Sequence, residues 1–89
     1  SRELAEVSSA QLDTYARAYI VLVDRMIAAL GDRRSPFHGQ AEEVLEVLTG
    51  RSYMVGARER FEQWWKEIKP VIRRGGGALF ASVRLISPF

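Results

Sequence analysis

From Ser9 to Leu30 the apolar side chains fall into two adjacent helical stripes. Leu12, Tyr15, Tyr19, Leu22 and Met26 make one, and Ala16, Ile20, Val23, Ile27 and Leu30 make the other. Residues three and four apart share a face of an α-helix. A surface helix needs one apolar stripe, so a helix with two has to be covered from two sides. This segment commits the chain to an all-α fold in which other helices pack around it. Ser8 and Gln11 have the spacing of a capping box, with Val7 and Leu12 at the staple positions. Gly31 supplies the stop.

Two further helices are expected. Ser35-Pro36 reads as an N-cap followed by a proline at the first helical position, and opens a helix carrying Phe37, Ala41, Val44, Leu45 and Leu48 on one face. Glu42, Glu43 and Glu46 fall on the other face, Gly39 interrupts the first turn and Gly50 ends the helix. A third helix over residues 52–69 has the stripe Met54, Ala57, Phe61, Trp64, Trp65 and Ile68, and Glu62 precedes Lys66 by four. Pro70 is expected to stop or kink it. Gly75-Gly76-Gly77 reads as a hinge, and residues 78–89 as an apolar tail, either extended or a short fourth helix. The expected organisation is one helical domain over residues 1–74, with hinge and tail over 75–89.

Size makes this domain marginal. A chain of 89 residues buries roughly 60–65% of the surface its unfolded form exposes. It contains no cysteine, so neither a disulfide framework nor a cysteine-bound zinc helps. That usage fits a reducing compartment, and a cytoplasmic location is expected. A hydrophobic fraction of 47% excludes wholesale disorder. The apolar run over residues 18–23 is too short for a membrane span, and nothing in the first residues resembles a secretory signal.

The segment over residues 22–69 resembles a unit of a HEAT-repeat protein. Residues 22–32 are similar to that family's first helix, ending in a leucine–any–aspartate turn at Leu30-Gly31-Asp32. Phe37, Ala41, Leu45 and Leu48 match its second helix, with a small alanine where helices approach. Leu48-Thr49-Gly50 followed by Phe61, Trp64 and Trp65 resembles a terminal unit with an aromatic helix. Phe61 stands where a tryptophan is expected, and residues 75–89 have no counterpart. The resemblance implies α-solenoid-like packing and a protein-binding role, although solenoids are usually stable only with three or more units.

No catalytic, metal-binding or cofactor-binding constellation is expected. His38 is the lone histidine and has no nucleophile pattern around it. Glu42, Glu43 and Glu46 read as a solvated acidic face. The triple glycine is not followed by the Lys-Ser/Thr of a phosphate loop. The chain is therefore read as a non-enzymatic interaction or scaffold domain, binding a protein partner or a second copy of itself. The candidate contact residues are Trp64, Trp65, Arg73, Arg74, Leu79, Phe80, Val83, Leu85, Ile86 and Phe89. Trp64 and Trp65 point about 100° apart on a helix, so one belongs in the core and the other near the surface, where tryptophan is a favoured anchor.

The alternative is a small DNA-binding protein. Residues 45–65 can be read as a helix–turn–helix with Gly50 in the turn and a basic second helix. Against it, Glu46 and Gly56 occupy unsuitable positions, and Glu59, Glu62 and Glu67 dilute the charge. Thirteen Lys and Arg against eleven Asp and Glu leave only +2.

Overall fold

The computed structural model describes the backbone of residues 9–86 and the side chains of residues 10–75. The capping residues expected at Val7 and Ser8 and the tail residue Phe89 lie outside the described residues. Three helices follow in order: α1 (Ser9–Leu30), α2 (Ala41–Thr49) and α3 (Ala57–Ile86). The described residues are all helix, turn or loop, as the all-α expectation requires.

α1 and α3 run antiparallel, as four points of contact show. The Arg58 guanidinium lies over Gly31, where a Cβ would come 2.9 Å from Arg58 Nε. Trp65 and Lys69 both reach Asp24. Ile72 lies beside Ile20 and Ala16, and Arg74 and Gly75 beside Asp13 and Arg17. The core forms along this seam from Ala16, Tyr19, Ile20, Val23 and Met26 of α1 and Phe61, Trp65 and Ile72 of α3, with Leu45 of α2. Tyr53 meets Phe61 edge-on at 4.8 Å, and Tyr19 meets Trp65 at 6.1 Å, the edge-to-face geometry aromatic rings prefer.

The second stripe of α1 is buried at Ala16, Ile20 and Val23 and partly buried at Ile27 and Leu30, whereas the first is only half covered. Tyr19 and Met26 are buried, whereas Tyr15 and Leu22 are exposed. Leu22 lies between Tyr19 and Met26 along α1, so the direction it faces leaves it uncovered: at about 100° per residue, Tyr15 and Leu22 both fall to one side of the Tyr19–Met26 line.

α2 begins at Ala41, later than the Ser35-Pro36 signal suggests. Ser35 Oγ instead accepts the Phe37 N–H at 3.2 Å, and successive turn bonds run from His38 N–H to the Ser35 carbonyl and from Gln40 N–H to the Phe37 carbonyl. His38 Nδ1 donates to the Ala29 carbonyl at 3.0 Å, tying the turn to the end of α1. This competing local bonding and the unfavourable Gly39 keep residues 35–40 out of the helix, and Phe37 is exposed. Gly50 ends α2 as expected, in the left-handed conformation at φ 69°.

α3 begins at Ala57 because Gly56 has φ +67°, which no helix interior accommodates. Met54 therefore leaves the expected stripe and is fully exposed. At its other end α3 passes both expected breaks. Pro70 removes one donor, but it is exposed, so the freed Lys66 carbonyl can turn to water. Ile68 and Ile72 meanwhile hold the inner side against the core. The helix also continues through Gly75, Gly76 and Gly77, so the backbone has no break at the expected hinge. Glycine disfavours a helix by about 1 kcal/mol per residue without forbidding it, and α1 lies alongside at Asp13 and Arg17. Residues 78–86 are the last turns of α3 and neither an extended tail nor a separate helix.

Candidate functional site

The two tryptophans take different places. Trp65 is 5% exposed, in the core, and its Nε1–H donates to Asp24 Oδ1 at 2.7 Å. Trp64 is half-buried, stacked on Trp65 at 5.8 Å, with the Arg51 guanidinium 5.1 Å from its ring centre. This cation–π cover occupies the outer face of Trp64. Arg60 covers Tyr53 in the same way at 5.8 Å.

Asp24 links the helices. Lys69 Nζ donates to Oδ1 at 3.0 Å and Oδ2 at 2.8 Å, beside the Trp65 bond. Burial pushes the Asp24 carboxyl up, but the hydrogen bonds from Lys69 and Trp65 and the charges of Lys69 and Arg73 outweigh it. The carboxyl is held below its ordinary value. Asp24 follows the apolar run over residues 18–23 and draws no functional reading from the sequence alone. The available signal was the four-residue spacing of Trp65 and Lys69, which puts an N–H donor and an ammonium on one face of α3.

On the flank of α1 away from Tyr19 the α1–α3 seam is open. A groove of about 730 Å³ runs over the buried side chains of Ala16, Ile20 and Ile72, with exposed Val21 among its lining and Asp13, Arg17, Arg73 and Arg74 along it. A second, of about 540 Å³, adjoins it over Lys66, Lys69 and Pro70 and shares Arg73 and Arg74. No residue of α2 lines either groove. α2 sits on the other flank, where the Tyr19 hydroxyl donates to the Leu48 carbonyl at 3.0 Å.

Of the candidate contact residues, the structure therefore joins Arg73 and Arg74 to a common site, brings Trp65 to the wall of the second groove beside them, and leaves Trp64 under Arg51. Leu79, Phe80, Val83, Leu85 and Ile86 belong to the helical backbone beyond the groove. Arg17 was missed, because only the antiparallel register of α1 and α3 brings it to the groove that Arg73 lines. No ion pair involving Arg17, Arg73 or Arg74 forms among the described residues; Arg74 Nε donates to the Pro70 carbonyl at 3.3 Å.

Among the described residues no group of His, Cys, Asp or Glu is placed to hold a metal, and no helix is long and apolar enough to cross a membrane. No protein-family model, curated protein or solved structure matches the chain.

Proposed function

We propose that the chain is a non-enzymatic protein-interaction domain, acting in the cytoplasm, that docks a helix-sized apolar surface bearing carboxylates. The carrying observation is the open groove, where Val21 is exposed over a buried apolar floor and Arg17, Arg73 and Arg74, which form no ion pair among the described residues, outnumber the one acid, Asp13. Apolar area supplies the association energy, and the arginines select acidic partners and speed their approach. The HEAT-like reading belongs to the same proposal, since it too is a helix pair offering a face to a neighbour.

The nucleic-acid reading has less support. It requires many cations free to meet phosphates; Arg73 and Arg74 of α3 form no ion pair among the described residues, but Arg58 pairs with Glu62, Lys69 with Asp24, and Arg51 and Arg60 lie over aromatic rings. Residues 50–56 separate α2 from α3, a longer link than the three or four residues of a helix–turn–helix.

A fluorescent helical peptide with leucines three and four apart, flanked by glutamates, tests the proposal by anisotropy. Binding that weakens at least tenfold on Arg17→Glu or Arg73→Glu is expected. Its lysine-flanked counterpart should not bind. Tight binding of duplex DNA with a steep salt dependence, and none of the acidic peptide, would replace this reading with the nucleic-acid one.

A further inference from the structure

The groove has a chemical complement elsewhere on the same molecule. The outer face of α2 carries Glu42 and Glu43, both exposed, and presents Val47 at 68% exposure. Neither Glu42 nor Glu43 forms an ion pair among the described residues, while Glu46 is held by the Ser52 hydroxyl at 2.7 Å. A short helix with an exposed apolar side chain beside two carboxylates is what an apolar groove edged by arginines fits.

Lengths agree as well. The groove follows α1 from Asp13 to Val21, about 12 Å of helix rise, against about 13 Å for α2. The contact cannot form within one chain. Ala41 and Leu45 already bury the inner face of α2, which lies on the Tyr19 flank of α1, and the groove opens on the other flank.

We infer that the groove is filled by the outer face of α2 from a second copy of the chain. This rests on reading the groove as a protein-docking surface. Because groove and α2 are different patches on different flanks, the contact is heterologous: each copy offers its α2 to one neighbour and its groove to another. Such contacts generate rings or open chains and not a closed two-fold dimer. One face of a nine-residue helix falls short of the roughly 800 Å² per partner of a standard interface, so association is weak and reversible. It also weakens with salt, because its charges lie at the rim.

Sedimentation equilibrium from about 10 µM to about 1 mM protein, a range that brackets weak association, tests the inference. Mass rising with concentration beyond that of a dimer, and falling in high salt, is expected. Arg73→Glu with Arg74→Glu should leave the chain monomeric, and so should Glu42→Arg with Glu43→Arg. An equimolar mixture of these two variants should associate again, since every groove then meets an α2 of opposite charge. Circular dichroism checks that each is folded. Val47→Asn, a neutral polar change at an exposed position, weakens association by a route that does not depend on the charge swap. A wild-type chain that stays monomeric throughout, or a folded mixture that fails to associate, overturns the inference. If the acidic peptide still binds in that case, the groove docks a different protein and only the self-pairing falls. If the peptide also fails, both readings fall.

Discussion

The two ends of this molecule are built differently. Around the C-terminal half of α1 and the N-terminal half of α3, three helices meet. There Phe61 and Leu45 are fully buried, Tyr53 and Trp65 make edge-to-face contacts, Thr49 Oγ1 donates to the Leu45 carbonyl at 2.7 Å, and Gly50 and Gly56 close the loops. At the other end only two helices lie together. α3 there contains Pro70 and three glycines, and α2 does not reach it. The same chain thus concentrates packing at one end and leaves an apolar, arginine-edged groove at the other. Stability and interaction surface are separated because α2 packs on the Tyr19 flank of α1 and the groove opens on the other.

The sharpest way to break this comparison is to empty each core in turn. Phe61→Ala removes the largest fully buried side chain among the described residues and should cost about 3–5 kcal/mol, a large part of the roughly 5–15 kcal/mol a domain has in all. Ile72→Ala, at the two-helix end, should cost less, near the lower bound of the roughly 2–5 kcal/mol range for such truncations. Urea unfolding followed by circular dichroism measures both. Equal losses would mean that the two ends are equally packed.

Next in size is overpacking. Ala41 is fully buried at the start of α2, so Ala41→Leu should cost about 1–3 kcal/mol and visibly lower the melting temperature. Glu43→Ala, on the outer face, should stay within about 0.5 kcal/mol. A silent Ala41→Leu would show that α2 is loosely attached even at the better-packed end.

Asp24 sits between the ends. Asp24→Ala removes an ion pair and a tryptophan hydrogen bond, and should cost about 1–2 kcal/mol. Because the folded state holds this carboxyl below its ordinary value, the ionised form stabilises the fold. That contribution is complete above the ordinary carboxylate pKa and is lost as pH falls through the lowered value. The Asp24 side chain is 40% exposed, so the charge contribution is limited to about 1 kcal/mol. Melting temperatures from neutral pH down to about pH 3 should fall less for Asp24→Ala than for the wild type.

The smallest effect carries the opposite sign. Gly75→Ala places a better helix former at an exposed position of α3, and should stabilise by about 0.5–1 kcal/mol with a gain in ellipticity. A loss of stability would show that the groove needs a bare backbone at Gly75.

What could be read from the sequence follows contact range. The α1 stripes, the stop at Gly50, the buried place of Ala41 and the unequal tryptophans depend on residues a few positions apart, and periodicity and capping report those directly. The starts of α2 and α3 were misjudged because the deciding groups compete locally: the Ser35 hydroxyl against a helical turn, and the left-handed Gly56 against the apolar Met54. Pro70 and Gly75-Gly76-Gly77 read as breaks because intrinsic propensity is summed without the neighbour. Packing of Ile68 and Ile72 against α1 carries the helix across Pro70.

By itself the sequence determined that the chain is all-α, that α1 is its central helix and that aromatic residues of α3 join the core, since periodicity on a single helix decides these things. Only the tertiary structure decided that Arg17 and Arg73 line one groove, that Asp24 binds Trp65 and Lys69, and that α2 leaves one flank of the seam open. Those outcomes depend on the register of two antiparallel helices joined through a third, and a one-dimensional pattern holds no record of which turn of one helix meets which turn of another.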